Sequence, residues 1–319
     1  MYEHMKVGII GFGSIGQRHF ENLKRRKDVE IVIFSKRTDV NDSKVVSTWE
    51  ELGNKRGFDA FFITNETSKH VETIERCLQL YPKALLIEKP LSHTSRGLEN
   101  IAKSIEESSV SVWVGYNFHF FRPFIRIKEI IKSNVLGRIY YLRVAVGQDL
   151  SEWRQRDYTK CYSSSKDGGG GVLLDLVHDI NYPAWLLDEE LIPQACVMKQ
   201  ISTLDIAVED WAESVLSTDS GIMVSVHQDY VRVPYKRSLE IVGDRASLSW
   251  DTDANNMAVL DRKKNLTLFE HIEEDRNRMF EKEIDFFIDS LRAGKNFSNI
   301  KEAIRDVAII ETLKSYAAK

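Results

Sequence analysis

The chain has 319 residues, a formal net charge of −4 at neutral pH, 43% hydrophobic residues and 29% charged residues. This length allows one large or two medium domains with a substantial core. No basic excess is available to neutralise phosphates, and no apolar run approaches the ~20 residues that cross a bilayer. We therefore expect neither a nucleic-acid partner nor a membrane partner.

Cysteine and acidic residues give no metal signal. Cys77, Cys161 and Cys196 are scattered and lack CxxC spacing, which argues against a disulfide framework or a zinc site and indicates a reducing cytoplasm. The acidic runs at residues 188–190 and 273–275 have no nearby histidine at ligand spacing, so we interpret them as solvated faces. No metal is expected.

Strand and helix signals alternate over the first part of the chain. Ile15, His19 and Leu23 have the spacing of a helix that follows the first strand. The strands are nearly continuous apolar runs, as expected of a parallel sheet covered on both faces. This pattern predicts a doubly wound α/β Rossmann domain over residues 1–119. Its predicted strands are residues 7–10, 30–34, 45–46, 60–63, 84–87 and 110–114.

The pattern changes after residue 120. Strands in series, flanked by helices, predict an α+β domain over residues 120–319 with a largely antiparallel sheet. The strands within 195–250 are partly apolar, with Trp211, Val215 and Val224 among their residues, and one face of their sheet needs cover. A homodimer or homotetramer is therefore expected through this sheet. The predicted elements are helices at 125–131, 172–187, 279–291 and 300–316, a strand at 138–146, a polar, glycine-rich loop at 158–171, and several strands within 195–250.

A GxGxxG motif, Gly11-Phe12-Gly13-Ser14-Ile15-Gly16, lies between the first strand and the first helix. Glycines at this place permit a tight turn, close approach of the backbone to a pyrophosphate, and close packing of helix on strand. The helix N-terminus adds free N–H groups and a positive dipole end. The motif therefore predicts a dinucleotide-binding site formed by all six residues.

The residues about 20 positions after this motif bear on the choice of cofactor. The second strand ends in Ser35-Lys36-Arg37, without a carboxylate for a ribose 2′-hydroxyl. A hydroxyl followed by two cations suits a 2′-phosphate, although a solvated basic turn is the alternative. We expect NADP(H) to be preferred, with NAD(H) possible.

Several motifs in a fixed order resemble the Gfo/Idh/MocA oxidoreductase family, over nearly the whole chain. The resemblance implies an NAD(P)-dependent oxidoreductase that acts on a secondary alcohol or ketone of a sugar, sugar nucleotide or cyclitol. The matching segments are the glycine motif continued by Gln17-Arg18-His19, then Thr64-Asn65, Glu88-Lys89-Pro90-Leu91, Gly115-Tyr116-Asn117, and Gly169-Gly170-Gly171 before Asp175 and His178.

The resemblance implies three catalytic residues. It places Lys89 beside the nicotinamide and the substrate hydroxyl, where a base must take the hydroxyl proton. Asp175 and His178 match a second pair that is commonly four residues apart but here is three apart. Both spacings leave the two side chains on one face of a helix. The departure leaves open whether Asp175 or the neighbouring Asp179 has the acidic role.

Further contacts are expected around these residues. Thr64, Asn65, His70, Glu88 and Asn117 are candidates for cofactor binding. Asn117 is also a candidate for binding a sugar-like substrate, together with Trp153, Arg154, Tyr158 and Tyr162 from the aromatic loop. A cis bond is expected between Lys89 and Pro90.

Two other functional classes remain open from sequence. One is a cofactor-retaining glycosidase or lyase that oxidises its sugar transiently, and the other is a non-catalytic NADP(H)-binding partner protein. Turnover with a substrate panel separates hydride transfer from both.

Overall fold

The computed structural model describes residues 4–37, 45–153 and 157–317. The chain divides into two compact units. The first comprises Met1–Tyr116 and Phe280–Val307, and the second comprises Asn117–Met279 and Ala308–Lys319. The expected domain limits at residues 119 and 120 stay a prediction.

The first unit contains a six-stranded sheet in the order β3-β2-β1-β4-β5-β6, and every pair is parallel. Each strand lies at or within two residues of its predicted position, which confirms the doubly wound α/β class. The strands are β1 (Met5–Ile10), β2 (Val29–Phe34), β3 (Val45–Val46), β4 (Ala60–Ile63), β5 (Ala84–Ile87) and β6 (Ser111–Val114).

The described residues form ten α-helices. Helix α2 begins after Thr48 with a capping box. The Thr48 side chain accepts from the Glu51 N–H, and the Glu51 side chain accepts from the Thr48 N–H. The helices are α1 (Ser14–Lys24), α2 (Trp49–Asn54), α3 (His70–Leu78), α4 (Leu98–Ser108), α5 (Arg122–Lys132), α6 (Leu150–Trp153), α7 (Val172–Asp175), α8 (His178–Leu187), α9 (Asn277–Arg292) and α10 (Ile300–Ala317).

Helix α9 supplies part of the core of the first unit. Phe287 and Ile288 are buried in the same cluster as Ile9, Phe62 and Leu86 of the sheet. This helix was predicted to be part of the second domain, because it follows that domain's strands in the chain. Its apolar face packs instead against the parallel sheet, so residues such as Phe287 belong to the first unit.

The second unit contains an eight-stranded sheet in the order β14-β13-β12-β11-β7-β10-β9-β8. Only β7 and β10 pair in parallel within the described residues, so the sheet is largely antiparallel, as predicted. The strands are β7 (Ile139–Gly147), β8 (Ile192–Lys199), β9 (Trp211–Ser217), β10 (Met223–Asp229), β11 (Lys236–Gly243), β12 (Ala246–Asp251), β13 (Asn256–Asp261) and β14 (Leu266–His271).

The two faces of this sheet differ in burial. Val224 and Leu216 are fully buried on one face, whereas Val215 and Met223 on the other face are 37% and 43% exposed. Val224 therefore lies on the covered face, because alternation along β10 turns it inward. Strands β13 and β14 lie beyond residue 250, where no strand was predicted, although residues 257–260 of β13 are all apolar.

Candidate functional site

The turn between β1 and α1 carries the glycine motif. Gly11 has a φ of +97°, and its N–H donates to the Phe34 carbonyl at 2.9 Å. A Cβ on Gly16 would lie 2.3 Å from the Gly11 carbonyl oxygen and 2.8 Å from Oγ1 of Thr64. A Cβ on Gly13 would meet no described atom within 4 Å. The turn is therefore tight at its two ends and open at its centre.

The start of α1 fits a pyrophosphate. Gly13 is the N-cap, and no described side chain caps the helix. The first N–H groups of α1 therefore lack a side-chain acceptor, beside an exposed Gly13 and Ser14. A helix N-terminus of this kind binds anions, because its N–H groups and its dipole both favour negative charge. The residues present fit the pyrophosphate of a dinucleotide.

Ser35, Lys36 and Arg37 follow β2 directly. The N–H of Arg37 donates to Oγ of Ser35 at 3.2 Å, and its guanidinium donates to the Phe12 carbonyl at 3.0 Å. Lys36 is exposed. The hydrogen bond to Phe12 holds the Arg37 guanidinium against the glycine turn. Residues 35–37 are those predicted to lie at the ribose of the cofactor.

Lys89 follows β5 and is half-buried. The Lys89–Pro90 bond is cis, as expected. Nδ1 of His70 lies 3.0 Å from the Pro90 carbonyl oxygen, and Nε2 lies 3.2 Å from the Asn65 carbonyl oxygen. Burial lowers the pKa of His70. The ring connects the chain after β4 with the chain after β5.

Glu88, an expected cofactor contact, directly precedes Lys89 and is buried. Its Oε1 lies 2.6 Å from Nε2 of His19, which is fully buried on α1. Glu283 is buried nearby and accepts from the Trp113 indole at 2.9 Å. Burial, and then the charge of Glu88, raises the pKa of Glu283 well above its usual range. Glu88 thus connects the end of β5 to the dinucleotide-binding helix.

Asp175 is buried in the second unit and accepts from two tyrosines. The hydroxyl of Tyr162 donates to Oδ1 at 2.8 Å, and that of Tyr230 donates to Oδ2 at 3.0 Å. Tyr162 was a predicted substrate residue. Tyr230 was not predicted, because it lies just after β10 and carries no motif of its own.

Asp175 and His178 do not share one helix, which corrects the prediction of a single helix over 172–187. Helix α7 ends at Asp175 and α8 begins at His178. Leu176 between them has φ −99° and ψ 30°, and its carbonyl accepts from Nε2 of the buried Gln228 at 2.7 Å. A side chain from a distant strand therefore bonds the backbone at the break.

Asp179 is fully buried and forms a fork with Arg237. The Arg237 Nε donates to Oδ1 at 2.9 Å, and Nη2 donates to Oδ2 at 2.8 Å. Burial opposes the charge of Arg237, but the Asp179 carboxylate raises the pKa of Arg237 further above its usual range. Both oxygens of Asp179 are thus engaged by Arg237.

His178 is only 8% exposed, and its ring centroid lies 4.6 Å from that of Phe118. Phe118 follows Asn117, which is buried at the start of a 3₁₀ turn, Asn117–Phe120. The sequence motif indicated Asn117 but not Phe118, because an aromatic residue at this position is usually part of the hydrophobic core.

The other predicted substrate residues are more scattered. The Trp153 ring lies 6.3 Å from the Tyr230 ring, whereas the Tyr158 hydroxyl accepts from the Asp205 N–H at 3.3 Å. Arg154 lies outside the described residues. The structure thus brings Trp153, Tyr162 and Tyr230 toward Asp175.

The part of the chain that the structure describes meets neither the requirements of a metal site nor those of a membrane-spanning helix. No group of three or more His, Cys, Asp or Glu residues there is arranged to hold a metal ion. None of the helices described above combines the length and the apolar character that a membrane crossing requires.

The glycine turn and the open start of α1 define the first unit as a dinucleotide-binding Rossmann unit. Residues 5–116 match the model of an oxidoreductase family with an NAD-binding Rossmann fold, and residues 124–249 match the GFO/IDH/MocA C-terminal domain. The chain belongs to the Gfo/Idh/MocA oxidoreductase family, as the sequence motifs indicated.

Named relatives include two inositol dehydrogenases. The myo-inositol 2-dehydrogenase of Thermotoga maritima is 24% identical over 313 residues, covering 91% of this chain and 89% of the relative. The scyllo-inositol 2-dehydrogenase (NADP(+)) of Bacillus subtilis is 28% identical over 190 residues, covering 56% and 52%. The crystal structure of myo-inositol 2-dehydrogenase from Lactobacillus plantarum has a TM-score of 0.82 at 18% identity, covering 99% and 98%.

Proposed function

We propose that the chain is an NAD(P)-dependent dehydrogenase for a secondary alcohol of a cyclitol, sugar or sugar nucleotide. Family membership supports the oxidoreductase class. The names of the two inositol dehydrogenases support a polyol as the substrate. The bound nicotinamide supplies the carbon that exchanges a hydride with the carbinol carbon of the substrate.

Lys89 is the proposed acid–base residue. As the carbinol becomes a carbonyl, the hydroxyl proton passes to Nζ of Lys89, and it returns in the reverse reaction. Lys89 is half-buried and lies two residues after the end of β5, and the carboxyl ends of parallel strands are where α/β proteins bind ligands. Its position in the Rossmann unit that contains the glycine turn is the observation that carries the proposal.

The second unit supplies the proposed polyol-binding groups. We assign the acidic role to Asp175 rather than Asp179, because the Asp179 carboxylate is paired with the charged Arg237 guanidinium, whereas the two hydroxyls that donate to Asp175 are neutral. Asp175 accepts hydrogen bonds from substrate hydroxyls, and the His178 imidazole donates to or accepts from them. Tyr162 and Tyr230 hold the Asp175 carboxylate in place. Asn117 and Trp153 are further proposed substrate contacts.

NADP(H) is the proposed cofactor. Arg37 is attached to the glycine turn through the Phe12 carbonyl, so a guanidinium stands beside the predicted ribose pocket. A guanidinium binds a phosphate more strongly than a neutral hydroxyl. Ser35 and Lys36 supply a hydroxyl and a second cation in the same segment.

A homodimer or homotetramer is proposed through the open face of the eight-stranded sheet. Val197, Val215 and Met223 are exposed there, on neighbouring strands. Apolar side chains in a row on an exposed sheet face are typical of a surface that associates.

The test is turnover with a panel of inositols, sugars, sugar phosphates and sugar nucleotides. Each is assayed with NAD⁺ and NADP⁺ by the absorbance of the reduced nicotinamide. We expect one or more polyols to give stoichiometric reduced cofactor. Substrate conversion without net reduced cofactor contradicts the proposal and favours a lyase or glycosidase instead.

A further inference from the structure

Four side chains of the second unit form a closed set of contacts, which we call the α8 clamp: Phe118, His178, Asp179 and Arg237. The Arg237 fork holds Asp179 at 2.8–2.9 Å. The guanidinium carbon of Arg237 lies 4.5 Å from the Phe118 ring centroid. The ring of His178 lies 4.6 Å from the same centroid. Asp179 follows His178 in the chain, which closes the set.

We propose that Arg237 is a positioning residue for His178 and Asn117, and this rests on the proposed function. Arg237 contacts two of the groups next to His178. It holds Asp179 in the first turn of α8, and it supports Phe118, against which the imidazole rests. Phe118 also follows Asn117 directly, so the same guanidinium supports both candidate substrate contacts.

The fork has a geometry that no other side chain reproduces. A planar guanidinium donates two parallel hydrogen bonds to a carboxylate and presents a flat face to an aromatic ring. Lysine keeps the charge but donates from a single point and has no flat face. Arg237 and Asp179 are both buried, so little water is available to replace the lost contacts.

Nearby space allows the clamp to move when the fork is lost. Phe118 and Arg237 line a cavity of about 140 Å³ together with Tyr235 and Trp250. Phe124 and Tyr182 pack against Phe118 at 5.3 and 5.9 Å. A Phe118 ring without the guanidinium therefore has room on the cavity side, and His178 loses a fixed surface.

The main variant is Arg237→Lys, and its matched control is Arg126→Lys. Arg126 also forms a forked pair in the second unit, with Glu270 at 2.7–3.0 Å, but it contacts none of the clamp residues in the described structure. We expect Arg237→Lys to lower kcat about 10- to 100-fold, because small misplacements of catalytic groups cost rates of that order. KM for the polyol should rise as well, because His178 and Asn117 are its proposed contacts, whereas Kd for the cofactor should change less than about threefold.

A second pair of variants tests the ring surface without removing a buried charge. Phe118→Leu keeps an apolar side chain but removes the flat surface, and Phe118→Tyr retains the ring. We expect Phe118→Leu to lower kcat in the same way and Phe118→Tyr to retain wild-type kcat. If Arg237→Lys does not fold, the two Phe118 variants alone test whether the clamp positions His178.

An NMR measurement gives a readout that does not require turnover. Imidazole signals of the eight histidines are recorded, and that of His178 is assigned from its loss in His178→Gln. We expect the His178 signal to move or broaden in Arg237→Lys and Phe118→Leu, and to be unchanged in Arg126→Lys. An unchanged His178 signal with wild-type kcat in both variants overturns the positioning role. Failure of the wild-type protein to turn over any polyol overturns the proposed function and leaves the NMR result to decide this inference.

Discussion

The hydroxyl of Tyr230 donates a 3.0 Å hydrogen bond to Oδ2 of Asp175, which lies 55 residues earlier in the chain. Tyr162 donates to the other oxygen at 2.8 Å. The two hydroxyls fix the plane of the buried Asp175 carboxylate. Asp175 ends helix α7 and His178 begins helix α8, so the two residues lie in separate short helices. Asp175 therefore keeps a defined orientation although its spacing from His178 departs from the family's usual one.

Tyr230→Phe should lower kcat/KM for the polyol about five- to tenfold. One hydrogen bond to a charged group contributes roughly 1.5 kcal/mol or more, and its loss lets the Asp175 carboxylate rotate. Tyr162→Phe should act similarly, and the double variant should lose more than either. Tyr140→Phe, at an exposed position on β7, is the control. Wild-type kcat/KM in the double variant, measured on a confirmed substrate, contradicts a role for the tyrosine pair.

Lys89→Met should remove nearly all turnover. Methionine keeps the apolar stem but cannot exchange a proton, and general acid–base catalysis typically contributes ~10²–10⁴-fold. Cofactor affinity, measured by reduced-nicotinamide fluorescence, should stay within about threefold of wild type, because the glycine turn is unchanged. Lys103→Met, at an exposed position on α4, should behave as wild type. Loss of cofactor binding in Lys89→Met points instead to a structural or cofactor-binding role.

Arg37→Asp should reverse the cofactor preference. The wild-type protein is expected to bind NADP(H) more tightly than NAD(H) in calorimetric titrations, because the guanidinium pairs with a 2′-phosphate. The substituted carboxylate repels that phosphate and accepts from a ribose 2′-hydroxyl. Arg25→Asp, on the exposed end of α1, should leave the preference unchanged. Equal or tighter NAD(H) binding by the wild-type protein contradicts the proposed preference.

Val215→Asp should dissociate the proposed oligomer into monomers. A carboxylate in the middle of an apolar contact loses its hydration on association, which costs several kcal/mol. Light scattering at micromolar concentration measures the mass before and after the change. Tyr81→Asp, at a 90% exposed position in the first unit, is the control. A wild-type protein that is monomeric at these concentrations contradicts association through this face.

His227→Gln should destabilise the protein more at pH 5.5 than at pH 9. His227 lies 2.9 Å from Asp229 and 2.7 Å from Glu213. The hydrogen bond to Asp229 raises the pKa of His227, against burial. Burial opposes ionisation of Asp229, yet the bond from His227 lowers the pKa of that carboxyl.

The sign of this pH dependence follows from linkage. The raised pKa of His227 gives stability that is complete below the unfolded value of about 6.5 and is lost as pH rises through the folded value. The lowered pKa of Asp229 gives stability that is lost as pH falls below about 3.9. Urea unfolding between pH 4.5 and 9 measures the His227 limb, and an extension of the series below about pH 3.9 measures the Asp229 limb. An equal effect of His227→Gln at every pH excludes this ion pair.

The sequence determined those features that depend on neighbouring residues. Apolar runs predicted all six parallel strands, and the glycine spacing predicted the turn before α1. The resemblance of their motifs to the family made Lys89 and Asp175 catalytic candidates. Strands β13 and β14 were missed, because each has only six residues and a short apolar run does not distinguish a strand from part of a helix.

Only the tertiary structure determined which distant residues pack against each other or form hydrogen bonds. The apolar face of α9 is visible in the sequence, but only packing places Phe287 against the parallel sheet. Gln228 reaches Leu176, and Arg237 reaches Asp179, across more than 50 residues. A side chain's own sequence neighbourhood sets its preference for helix or strand, whereas the partner of a buried polar group depends on which distant strand folding places beside it.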